Sequence, residues 1–143
     1  MPNQQETAKT VREIKIEVKL AALWAAVMFL YIYVDHFALF IPGTLEAMIA
    51  GKMGPFPVTQ GSLLSAMALM TIPSLMIFVS VALPASVNRW TNIVVGILYI
   101  VVVVGNTVGE SWAFYILGSV VEAVLLALIV WYAYRWPNPE RSN

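Results

Sequence analysis

Residues 20–41 read LAALWAAVMFLYIYVDHFALFI, an apolar run broken by one acid and one imidazole, Asp35 and His36. A helix needs roughly 20 consecutive apolar residues to cross a bilayer, and this stretch supplies them. Pro42 and Gly43 follow as a helix-stop signal. Working outward, three more runs of the same kind appear at residues 63–83, 90–107 and 111–134, with Pro84 after the second and Pro137 and Pro139 after the fourth.

The composition agrees. The 143-residue chain is 60% hydrophobic and 11% charged, against about 45–50% and roughly a quarter in soluble domains. Its mean hydropathy is +0.80. Backbone polar groups in lipid must be satisfied internally, and no alternating barrel pattern occurs, so the expected fold is all-α, a polytopic bundle of four transmembrane helices. The domain covers residues 20–136, between a polar and partly amphipathic segment at 1–19 and a short tail at 137–143. The first apolar run begins only near Leu20 and lacks an A-x-A cleavage pattern, so it is expected to be retained rather than removed as a signal peptide.

Charge sets the expected orientation. Lys9, Arg12, Lys15 and Lys19 precede the first span, Arg89 lies between the second and third, and Arg135 and Arg141 follow the fourth. Lys52 stands alone on the other side. The positive-inside rule then places both termini in the cytoplasm and the 42–62 loop outside, as in a multi-pass protein of a cytoplasmic (inner) membrane. Trp24, Trp90, Trp131 and Trp136 toward the inner ends and Trp112 at the outer end are expected to form interfacial belts. The loop combines a short amphipathic helix through Leu45, Met48 and Ile49 with a Gly/Pro-rich return. It is read as an interfacial re-entry, with a lid as the functional alternative.

Two acids fall inside spans. Asp35 sits seven residues before Pro42, roughly 10 Å from the outer end of its helix, and Glu122 roughly 18 Å below Glu110. A central acid costs about 2.5–3.5 kcal/mol even on lenient insertion scales, so both should face the bundle interior or carry a proton. Helical spacing puts Trp24, Met28, Tyr31 and Asp35 on one stripe, and Tyr115, Gly118 or Ser119, Glu122, Leu126 and Ile129 on another. These faces are expected to meet, a tyrosine hydroxyl donating to a carboxylate. The third span adds Asn92, Gly96 and Tyr99 on one face. In the second, Pro73 should free the carbonyl of Leu69 and create a local acceptor. Small residues, including Gly118 and Ala123, permit close helix approach. The candidate ligand- or proton-binding set is therefore Asp35, Glu122, Tyr31, Tyr99, Tyr115, Ser119 and Asn92. His36 points about 100° away from Asp35 and is read as an interface or packing residue. Glu110 with Ser111 is read as the cap of the fourth helix.

Missing chemistry narrows the classes. With no cysteine and one histidine, thiolate metal sites and bis-histidine haem within one chain are excluded. No Walker A loop, dinucleotide fingerprint, HExxH or G-x-S-x-G occurs, so no cofactor or metal is expected. The expected partner is the lipid bilayer, with a small-molecule or lipid ligand, a homo-oligomer or a larger membrane complex as further partners and no nucleic acid.

The runs KLAALWAAVMFLYIYVDHFALFIPG, GKMGPFPVTQGSLL and WAFYILGSVVEAVLLALIVWYAYRWP, with Tyr31, Tyr33, Asp35 and Phe37 as the most particular pattern, resemble a bacterial family of small four-span membrane proteins of unknown function. The resemblance covers about Lys19 to Pro137. It implies four helices and membrane residence but no activity. The leading expectation for function is binding or translocation of a small cationic, protic or lipophilic molecule at an intramembrane carboxylate site. A membrane-embedded acid/base enzyme acting on an isoprenoid or steroid-like substrate, and an accessory or structural subunit, are the alternatives.

Overall fold

The computed structural model describes residues 14–137. Lys9, Arg12, Arg141, most of the 1–19 segment and nearly all of the tail lie outside the described residues. Within them the elements run α1 (Ile16–Ala38), α2 (Thr44–Ile49), β1 (Lys52–Met53), β2 (Phe56–Pro57), α3 (Gln60–Ala82), α4 (Ala85–Thr107) and α5 (Ala113–Arg135). The four long helices have 23 residues each, about 35 Å at 1.5 Å per residue, which exceeds the ~30 Å hydrocarbon core. All four are long and apolar enough to cross a membrane. The chain is a multi-pass membrane protein of the all-α class.

Local sequence explains the ends of these helices. The charged lead-in is not separate from the first span, because Ile16, Glu17, Val18 and Lys19 already belong to α1. Before α3, Thr59 and Ser62 form a reciprocal capping box: the Thr59 side chain accepts from Ser62 N at 3.1 Å and Ser62 Oγ accepts from Thr59 N at 2.9 Å. Glu110 does not cap α5. The N-cap there is Trp112, which makes no side-chain capping bond. Inside the loop, β1 and β2 pair antiparallel, Lys52 opposite Pro57 and Met53 opposite Phe56, and Gly54 at φ +57° makes the turn.

The helices alternate in direction, so α1 and α4 begin, and α3 and α5 end, at the end of the bundle that carries both termini; the other end carries the 42–62 loop. Packing is extensive between α4 and α5, α1 and α5, and α1 and α3, whereas α3 and α4 touch far less despite their tight connection through Leu83 and Pro84. Large apolar side chains such as Phe29, Ile32, Leu64, Phe78 and Leu117 face outward, the surface that lipid rather than water can cover.

The core is a column that runs from the termini end past mid-bundle: Leu20, Trp24 and Val27 of α1, Tyr99 and Val103 of α4, and Leu126, Ile129 and Ala133 of α5. On α1 the buried stripe is Leu20, Trp24 and Val27, so Val27 and not Met28 continues the row from Trp24. Trp24 also leaves the expected interfacial belt, since it is fully buried. Trp90, Trp112 and Trp131 are exposed near the helix ends, with the Arg135 guanidinium 4.9 Å from the Trp131 ring centre.

Two glycines set the interhelical spacing. A Cβ on Gly96 would come within 2.7 Å of Val130 Cγ2, and one on Gly118 would collide with Val34 Cγ2. Both opposing groups are methyls of stiff, β-branched residues. Gly105 has open space around it. Gly105→Ala should therefore stabilise the protein by up to about 1 kcal/mol through helix propensity. Gly118→Ala should instead lower stability by about 1–2 kcal/mol as α1 and α5 are pushed apart. Thermal unfolding of the two variants in detergent checks this; equal midpoints would show that Gly118 is no contact point.

Candidate functional site

In the termini half the buried polar side chains of α1, α3 and α4 bond to one another, while Arg89 donates through Nη2 to the Tyr134 carbonyl at 3.1 Å and keeps its Nε without a partner among the described residues. Trp24 Nε1 on α1 donates to Asn92 Oδ1 on α4 at 2.7 Å, and Ser80 Oγ on α3 donates to the same oxygen at 3.2 Å. Asn92 Nδ2 in turn donates to Asn88 O at 2.9 Å and to Asn88 Oδ1 at 2.7 Å. Asn88 Nδ2 closes the circuit by donating to Ser80 O at 2.6 Å. Trp24, Ser80, Asn88 and Asn92 are all fully buried. The Asn92 amide thus spends both lone pairs and both protons inside the protein and has nothing left for a ligand.

One level further along, Pro73 lacks the N–H that would bond the Leu69 carbonyl. The Tyr99 hydroxyl of α4 donates to that carbonyl. The acceptor expected from the proline is therefore used, and it fastens α3 to α4 at mid-helix. Tyr99 also packs edge-on to Trp24, with ring centres 6.2 Å apart.

Toward the loop end all four long helices surround one cavity of about 50 Å³. Tyr31, Val34 and Asp35 come from α1, Met70 from α3, Val102, Val103 and Asn106 from α4, and Tyr115, Ser119 and Glu122 from α5. The lining holds two carboxyl groups and no lysine, arginine or histidine. Glu122 is 4% exposed. Its Oε1 and the Tyr31 hydroxyl are buried without a hydrogen-bond partner among the described residues. Asp35 and Asn106 are exposed at the loop end of the lining. Depth thus divides the acids, with Asp35 one turn from the end of α1 and Glu122 nine residues inside α5, roughly 13 Å along its axis.

Five of the seven candidate residues, Asp35, Glu122, Tyr31, Tyr115 and Ser119, line this cavity together. The α1 and α5 stripes do meet, but the expected phenol–carboxylate bond is not formed, since Tyr31 and Glu122 each keep an unpaired atom. Asn92 and Tyr99 lie below, committed to the bonds described above. His36 is exposed beside Phe40, ring centres 5.6 Å apart, and does not line the cavity. No residue of the 42–62 loop lines it either.

Sequence reasoning missed Asn106, Asn88 and Ser80. Asn106 continues the row Asn92, Gly96, Tyr99, Val103 at helical spacing and could have been found by extending it. Asn88 was hidden because the third span was started at Trp90 instead of Ala85. Among the described residues no group of three or more His, Asp or Glu is placed to hold a metal ion. Chemically the cavity can accept hydrogen bonds, set negative charge against a small donor, and exchange a proton at a carboxyl group.

The chain belongs to the family of unknown function DUF6326, whose model matches residues 12–142. No curated protein and no solved structure matches it.

The link between Pro73 and Tyr99 is open to a double-mutant cycle. Tyr99→Phe should cost about 1 kcal/mol, because the Leu69 carbonyl loses its donor in a medium without water. In a Pro73→Ala background the helix supplies its own N–H, and the cost should fall to about half or less. Unfolding free energies of the four proteins decide it; an undiminished cost would mean that Tyr99 acts through packing alone.

Proposed function

We propose that the cavity of the loop half binds a small cationic or hydrogen-bond-donating species, with Glu122 as its buried acceptor and Asp35 at its mouth. The observation that carries this reading is Glu122 Oε1, buried without a partner among the described residues in a cavity whose lining holds a second carboxyl group and no lysine, arginine or histidine. A buried polar atom left unpaired costs about 1–3 kcal/mol, and a donor that enters the cavity offsets that cost. The unpaired Tyr31 hydroxyl supplies a second contact that can donate or accept.

Volume supports the choice of occupant. About 50 Å³ suits an ammonium-sized group or a partly hydrated ion, given that one water needs roughly 10–15 Å³ of such space. The body of a sterol or isoprenoid needs a cleft of roughly 300–1,000 Å³, so the cavity by itself has room for a small polar group and not for such a body. Lys15, Lys19, Arg89 and Arg135 at the termini end, against Lys52 in the loop, support cytoplasmic termini, as in a bacterial inner-membrane protein whose cavity faces outward.

The test uses the purified full chain in nanodiscs with methylammonium and sodium as probes, and calorimetry as the readout. Glu122→Gln keeps the side-chain volume and should weaken binding roughly 30-fold or more, as expected when one partner of a buried charge contact is lost. Asp35→Asn, at the exposed mouth, should weaken it only a few-fold. A Glu122→Gln variant that melts like the parent protein and binds the probes equally well would remove the reading.

A further inference from the structure

On the lipid side of the same level, α4 and α5 frame an apolar groove of about 340 Å³, lined by Val103, Val104, Val108, Ser119, Val120 and Ala123 among others. Val103 and Ser119 line both this groove and the carboxylate cavity. They are 4% and 6% exposed, so a single layer of side chains separates a surface open to lipid from Glu122. Ser119 is the smaller half of that layer. An apolar groove in a membrane fits any hydrocarbon chain, but the chemistry behind this one does not fit any headgroup.

From this juxtaposition we infer that the ligand is a single-chain cationic amphiphile, a long-chain amine whose ammonium group lies in the cavity against Glu122 and whose alkyl chain lies in the α4–α5 groove; the inference rests on the cavity being a cation site. Charge complementarity selects the head. Two carboxyl groups with no cation beside them favour an ammonium and repel a phosphate. Size selects it again, because about 50 Å³ admits an ammonium group but not a phosphodiester with its glycerol. Phospholipids are thereby excluded as occupants, although their chains surround the groove. The groove volume lies at the lower end of the roughly 300–1,000 Å³ found for small-molecule clefts, as a single chain requires. Such a ligand arrives dissolved in the bilayer and reaches Glu122 sideways by parting the layer that Val103 and Ser119 form between groove and cavity.

The experiment is photolabelling of the full chain in phosphatidylcholine nanodiscs with decylamine carrying a mid-chain diazirine, with the adducts located by peptide mass spectrometry. Adducts should concentrate on residues 103–108 and 119–123 and should be competed by methylammonium. The matching fatty acid should label without such preference. Val104→Phe fills the groove from a side chain that already faces lipid, so folding is not at risk, and it should lower amine labelling roughly tenfold while leaving methylammonium affinity unchanged. Glu122→Gln should lower both. Labelling spread over the whole lipid face, labelling unaffected by Val104→Phe, or competition by added phosphatidylethanolamine would overturn the amphiphile, while Glu122-dependent methylammonium binding would show the cavity reading intact. Methylammonium binding that ignores Glu122→Gln would overturn both.

Discussion

A polar group buried in hydrocarbon has only the protein to bond with, and this bundle meets that constraint more fully in one half than in the other. Near the termini, the Trp24 indole, the Ser80 hydroxyl and the Asn88 and Asn92 amides form a circuit across α1, α3 and α4. The Tyr99 hydroxyl then takes up the carbonyl that Pro73 orphans. Every one of these bonds replaces one that water would otherwise make, so this half is held shut by its own polar groups. In the loop half the same accounting leaves Tyr31 Oη and Glu122 Oε1 over, whereas at the termini end it leaves Arg89 Nε, on a guanidinium that already donates to the Tyr134 carbonyl.

Packing is what turns that asymmetry into a cavity. Gly118 brings α5 against Val34 of α1 one turn before Glu122, so the two acid-bearing helices approach closely at the level of the cavity. Gly96 does the same for α4 and α5, against Val130. The pair α3 and α4 is fastened at Ser80–Asn88 and at Leu69–Tyr99 but otherwise touches little. Three close pairs and one loose pair enclose a small space at the loop half, with Met70 and Val102 on its loose side. Rigid walls from well-packed helices with two unpaired polar atoms between them are what a binding site needs.

The legibility of these features in the sequence followed the strength of each local signal. Four apolar runs bounded by prolines and glycines specify four helices because length and hydropathy are local quantities. Helical spacing identified the α5 row through Glu122, Leu126 and Ile129, all buried, and the α4 row through Asn92, Gly96 and Tyr99. On α1 it brought Trp24, Tyr31 and Asp35 to the inner face but misjudged one position, since apolar residues surround the helix and hydropathy does not distinguish a core face from a lipid face. Met28 was placed on the buried row in place of Val27, and Trp24, correctly put on that row by spacing, was also assigned to an interfacial belt although its N–H has a buried acceptor. Pro73 was readable because the loss of an N–H is a property of the residue itself.

By itself, then, the sequence determined the number of the spanning helices, the presence of two acids among apolar residues, and the carbonyl that lacks a helical donor. These follow from composition and backbone chemistry, which need no neighbours. Only the tertiary structure decided that Asn92 is consumed in a closed network, that Asp35 and Glu122 share one cavity with Asn106, and that Tyr31 and Glu122 stand unpaired within it. Whether a polar atom finds a partner depends on the azimuth and separation of helices distant in sequence, here set by Gly96 and Gly118, and a one-dimensional pattern does not contain that distance.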